Sequence, residues 1–178
     1  GDYREYFQND LKPDFLTRGT DGQIYSIHPI GMPVLIAPIY GLGGYPAVVA
    51  AFVVMASIAA GWMWFTLVGF TNTVGAATFA WASVVATSPF LFNAFAVYPE
   101  IPAALAVVIA FSLITQSTFV HWWRWLAVGL TCSALPWLST KYAPMSAVLV
   151  AIAIGRILTS GSVRGARGAG ATDAGSMG

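Results

Sequence analysis

The chain changes character at a single boundary. Residues 1–30 interleave charge with aromatics: Asp2, Glu5, Asp10, Asp14 and Asp21 stand beside Arg4, Lys12 and Arg18, with Tyr3, Tyr6, Phe7, Phe15 and Tyr25 among them. From Met32 to Leu158 apolar residues run on with almost no charge. The runs are continuous rather than alternating, which predicts helices that bond their own backbone, not barrel strands. The piece at 32–43 is broken by Pro33 and Pro38 and ends in Gly41, Gly43 and Gly44. It is shorter than the roughly 20 residues a span needs, so it reads as an interfacial or re-entrant helix. Spans follow at 45–67, 74–92, 101–118, 125–139 and 144–158. Tyr45-Pro46 opens the first, and Trp62 and Trp64 mark its far interface. The second is rich in small residues, with Ser88-Pro89 as a kink or exit. Residues 1–31 form a polar, aromatic loop segment, and 159–178, mostly Gly, Ser, Ala and Thr, a flexible tail.

Composition narrows the class. Of 178 residues 57% are hydrophobic and only 8% charged, where a soluble domain carries about 25% charged residues. The expected fold is an all-α membrane protein, a polytopic helix bundle in a lipid bilayer. The few basic residues form neither a stripe nor an aromatic-interleaved patch, so nucleic acid is not an expected partner. Cys132 is the single cysteine and lies in an apolar run, which leaves no internal disulfide and no paired-cysteine metal or redox centre. The chain opens on Gly1-Asp2-Tyr3 with no basic leader. This reads as an N-terminally truncated fragment whose upstream residues carry part of the chemistry.

Five spans would put residues 1–31, 89–100 and 139–143 on one side. The other side would hold the loops at 68–73 and 118–124 and the tail. Arg124, Arg156, Arg164 and Arg167 cluster on the second side, which the positive-inside rule makes cytoplasmic. Three candidate motifs then share the outer side. His28, before Pro29, is suited to binding phosphate or relaying a proton. Glu100 lies between Pro99 and Pro102 at the start of a span, and no other acid occurs between Asp21 and Asp173. A carboxylate there can act as a base on a hydroxyl or, joined by a second acid, hold a divalent cation. Lys141 offers a compact charge to a lipid phosphate, beside Tyr142. Each also has a plainer explanation: a capping histidine, an acid favoured in a helix's first turn, and an interface anchor.

The run YSIHPIGMPVLIAPIYGLGG resembles the His-Pro-Pro-Gly region of polytopic glycosyltransferases with the GT-C fold, relatives of protein mannosyltransferases and of the lipid A aminoarabinose transferase. SPFLFNAFAVYPEIPAALAV and LPWLSTKYA resemble later segments of a bacterial branch, so the likeness covers roughly residues 1–157. It implies a GT-C-like transmembrane core that takes a sugar from a polyprenyl-phosphate carrier. Transfer, with inversion, would occur at the outer face of the bacterial inner membrane, to an acceptor the resemblance does not name. It implies Glu100 and His28 as catalytic residues and Lys141 and Tyr142 as donor-phosphate ligands; the layout of the motifs adds Arg18 as a further candidate for the phosphate. A divalent cation, Mg²⁺ or Mn²⁺, is compatible with this chemistry without being demanded by it. Ile30 replaces the family's second proline, Ser139 stands where relatives often carry histidine, and the family's principal acid, in the first outer loop, has no counterpart. The competing classes are a transporter or flippase-like protein and a structural membrane subunit.

Overall fold

The computed structural model describes residues 20–22, 29–115 and 122–173, with backbone only over 160–173. Among the described residues six α-helices follow in order: α1 Gly31–Thr71, α2 Val74–Val85, α3 Ser88–Phe95, α4 Glu100–Thr115, α5 Trp122–Leu138 and α6 Ala143–Asp173. A single 3₁₀ turn, Thr140–Tyr142, joins α5 to α6. No strand occurs among the described residues, so the fold is all-α.

Among the described residues two helical stretches are long and apolar enough to cross a membrane, Gly31–Thr71 and Thr140–Thr159; the bent pair of α2 and α3 makes a third if taken as one span. Where the sequence predicts five crossings, α4 is apolar but 16 residues long over its described part. At about 1.5 Å per residue that is some 24 Å, short of a hydrocarbon core of about 30 Å. Large apolar side chains such as Phe65, Phe79, Leu130 and Leu158 point outward. These features fit a helix bundle in lipid.

Two helix breaks have identifiable causes. α1 departs from helical geometry at Gly43 and Gly44, the latter at φ 63°, ψ −157°, a region essentially reserved for glycine. Pro46 then sits in the first turn of the second half, where its missing N–H costs nothing. The predicted span 74–92 is likewise two helices, α2 and α3, bent by 63°. Pro89 has no N–H to give the Val85 carbonyl and its ring would crowd that carbonyl, so α2 stops at Val85. α6 continues to Asp173, past the end of its apolar part at Leu158 and through sequence whose composition reads as flexible.

α4 is the spine. It packs against α1, α3, α5 and α6. Ala103, Ala106 and Ala110 are buried in a cluster with Val128, Cys132, Leu135, Leu149 and Ala153, and Ile101 in a second with Val48, Phe52, Ala56 and Ala94. Small residues allow such close approach, and in lipid the gain is dispersion, since the surrounding tails are as apolar as the core. Polar ties run across the helices. The Trp62 indole N–H donates to the buried Ser112 hydroxyl at 2.8 Å, Trp81 to the Ala60 carbonyl at 2.9 Å, and the Ser146 hydroxyl to the Cys132 carbonyl at 2.7 Å. Trp62, although exposed, therefore also ties α1 to α4, beyond the interface marker the sequence suggests. At the C-terminal end of α4, the Arg156 guanidinium donates to the Thr115 carbonyl at 3.1 Å.

The break in α1 yields a clean test. At Gly44 a methyl group would meet nothing nearer than the Pro46 ring at 3.8 Å, so an alanine there is penalised by backbone conformation alone. Gly44→Ala is expected to destabilise by about 1–3 kcal/mol. Gly41→Ala, with open space around it, should be neutral or stabilising by up to about 1 kcal/mol. Thermal unfolding of both variants in detergent reads the difference.

Candidate functional site at the N-terminal end of α4

Antiparallel packing of α4 on α5 brings the start of one helix beside the end of the other. Glu100 is the first residue of α4, where the helix's N-terminal partial charge favours an acid. It is held by a compact link: the Tyr98 N–H bonds the Ala96 carbonyl at 2.9 Å, and the Ala103 N–H bonds the Pro99 carbonyl at 3.0 Å. On the other strand of chain, Ser139 leaves α5 in extended conformation and the 3₁₀ turn follows, closed by the Tyr142 N–H on the Ser139 carbonyl at 3.0 Å. That turn presents Lys141.

The two residues meet. Lys141 Nζ donates to Glu100 Oε1 at 2.5 Å, across 41 positions of sequence. The ammonium also stands 5.1 Å from the centre of the Tyr142 ring, within cation–π range. The lysine side chain is 54% exposed and the glutamate 34%. Glu100 Oε2 and the Tyr142 hydroxyl are both buried atoms with no hydrogen-bond partner among the described residues. The Tyr142 phenol interacts electrostatically with both Glu100 and Lys141, so the three side chains form one polar corner.

Beside the pair opens a cavity of about 960 Å³. One wall is the first half of α1, through Met32, Pro33, Ile36 and Tyr40; the opposite wall is Val97 to Glu100; Leu138, Ser139 and Lys141 close the end. Apolar walls with a few convergent polar groups are the usual make-up of a small-molecule site. α1 reaches this position because Gly31 lies directly against the end of α5: a Cβ there would overlap the Trp137 carbonyl.

Of the residues singled out in the sequence, Glu100, Lys141 and Tyr142 are brought together. His28 and Arg18 lie outside the described residues, although Pro29, next to His28, lines the cavity. The sequence assigns Glu100 and Lys141 separate roles and does not anticipate that they pair. It also passes over Tyr40 and Tyr98 as site residues. The available signal for Tyr40 is its spacing from Pro33, Ile36 and Ala37 on one helical face. Among the described residues no three His, Cys, Asp or Glu gather as a metal site.

The ion pair is half in water, so its coupling should be modest. A double-mutant cycle of Glu100→Gln and Lys141→Met, read by thermal unfolding, is expected to give about 0.2–1 kcal/mol, less at high salt. Lys141→Met should be the costlier single change, since it strands the less exposed partner as an unpaired carboxylate.

No protein-family model, no curated protein and no solved structure matches this chain, so what the site can do rests on its own residues.

Proposed function

We propose that the chain is the donor-binding core of a GT-C-type membrane glycosyltransferase, which moves a sugar from a polyprenyl-phosphate carrier to an acceptor hydroxyl. The observation that carries this reading is the meeting of Glu100 and Lys141 at one apolar-walled cavity. The carrier's prenyl chain stays with the lipid and the apolar wall, and its phosphate lies at Lys141. An ammonium has three donors, so Lys141 can keep one on Glu100 and turn others to the phosphate. As the bond from the anomeric carbon to the phosphate oxygen breaks, the electron pair leaves with the phosphate. Lys141, with Tyr142 and Arg18, stabilises the charge that grows there. Glu100 takes the proton from the acceptor hydroxyl as its oxygen attacks the opposite face of the anomeric carbon, which inverts that centre. His28 serves the same end as a proton relay.

The bacterial inner membrane, with the cavity on its outer side, is part of the same proposal. Arg156 sits at the C-terminal end of α4, and the site at the N-terminal end. A cation at the end opposite the cavity suits both the helix dipole and the positive-inside rule. A second reading, a transporter or flippase-like protein, is favoured by the broken α1 and the bent α2–α3 pair, since interrupted helices are common around transported substrates.

The deciding experiment supplies polyprenyl phosphate carrying radiolabelled sugar to membranes containing the full gene product. Wild type should move label into an acceptor fraction. Glu100→Gln and Lys141→Ala should each lower the rate at least about tenfold, roughly 1.4 kcal/mol of transition-state stabilisation. Full activity in both variants would make the pair a bystander. Passage of intact labelled lipid across the bilayer without transfer would establish the second reading instead.

A further inference from the structure

The cavity holds two tyrosines that neither the ion pair nor the proposed displacement uses. Tyr40 completes a row on α1: Pro33, Ile36, Ala37 and Tyr40 follow at helical spacing, and all line the cavity. Ala37, the small member of the row, leaves room beside it. Tyr98 lines the same cavity from the link between α3 and α4, two residues before Glu100. Neither ring is packed into the core: Tyr40 is 57% exposed and Tyr98 56%. The other walls are aliphatic or proline, apart from Glu100, Ser139 and Lys141.

A pyranose or furanose ring is amphipathic. Its faces carry C–H bonds, and its rim carries hydroxyls. The faces suit the electron-rich face of an aromatic ring, which attracts polarised hydrogens and offers rigid apolar area. The rim suits a carboxylate, whose hydrogen bonds are charge-assisted, and a hydroxyl such as that of Ser139. Aliphatic walls alone accept a prenyl chain as readily as anything else and cannot tell a sugar from it. Aromatic faces beside a carboxylate can.

We propose that Tyr40 and Tyr98 are sugar-recognition residues, which take the apolar faces of the donor's saccharide ring while Glu100 and Ser139 meet its hydroxyls. This rests on the donor-binding reading and deepens it by naming what selects the sugar. The two tyrosines come from separate elements, so their spacing depends on where the break at Gly43 and Gly44 leaves the first half of α1.

The test uses the chain in lipid nanodiscs. Two probes are compared, a panel of hexose- and pentose-linked polyprenyl phosphates and polyprenyl phosphate without sugar. Tyr40→Leu and Tyr98→Leu are each expected to weaken binding of the preferred sugar-linked lipid about tenfold, the upper range for a well-placed aromatic contact. Sugar-free lipid should bind the variants as it binds wild type. Tyr40→Phe and Tyr98→Phe keep the ring and should retain most of the affinity, and thermal unfolding of each variant checks the fold. Equal weakening of both lipids would make the tyrosines ordinary interface anchors and overturn the proposal. A loss in the phenylalanine variants as large as in the leucine ones would overturn it too, by placing the effect in the hydroxyl. If wild type binds both lipids and the leucine variants match it, the sugar assignment falls and donor binding stands. If wild type binds neither, the donor-binding reading falls and the sugar assignment with it.

Discussion

The constraint on which this structure depends is that α4 is surrounded. It packs against four other helices, and its alanines at 103, 106 and 110 let them come close. Between helices in lipid, close approach is the source of stability, because removing an alkyl group from hydrocarbon into a protein core gains no hydrophobic free energy. What it gains is contact number, which depends on fit. A larger side chain on that face would push α5 away from α4, and the start of α4 would no longer lie beside the end of α5. The Glu100–Lys141 pair is thus a consequence of helix packing along α4's whole length. The tie between Arg156 and the Thr115 carbonyl at the opposite end holds the same alignment from α6.

The second constraint is where the chain is forbidden to continue as helix. An unbroken α1 would run straight from Gly31 through Thr71 and could not fold its first half across the head of the bundle as a cavity wall. Gly44, at a positive φ, permits the change of direction, and Gly31 permits the first turn to lie on the backbone of Trp137. Pro89 acts on the facing side by ending α2 and directing α3 toward the link that carries Tyr98 and Glu100. Breaks with different chemistry, glycine conformation in one place and a missing N–H in the other, therefore set the course of segments that line one cavity, the first half of α1 and the link from Val97 to Glu100.

Much of this was legible as pattern. Continuous apolar runs and scarce charge pointed to an all-helical membrane bundle, because only hydrogen-bonded helices or closed barrels suit that environment. Glycine at 43 and 44 and proline at 89 are local signals, readable without tertiary structure. Less legible was what depends on distant neighbours. Trp62 looks like an interface anchor until Ser112, 50 residues on, is seen to accept its N–H. Glu100 and Lys141 each read as a separate polar residue near an apolar run, since nothing local in either encodes a partner 41 positions away. Tyr40 is hidden for a related reason: in a membrane protein an exposed tyrosine is so often an interface residue that its place on a cavity wall shows only when the opposite wall is present.

Under the proposed donor-binding reading, the pairing of Glu100 with Lys141 would also set how the site receives an anion. A carboxylate alone at the head of an apolar bundle would repel a phosphate and pay to be partly desolvated; a lysine alone would attract any anion at the membrane surface. Held together, the two present little net charge, and the lysine, the more exposed member, keeps donors facing outward. On that reading an incoming phosphate would be met by the same ammonium without first removing it from the carboxylate, because the ammonium is a point charge with three donors and not a planar fork committed to one partner. An arginine in this place would bind the carboxylate by two parallel bonds and have less to offer a third group. If the proposal holds, lysine is the cation whose geometry would let one charge serve the resident Glu100 and an arriving phosphate in turn.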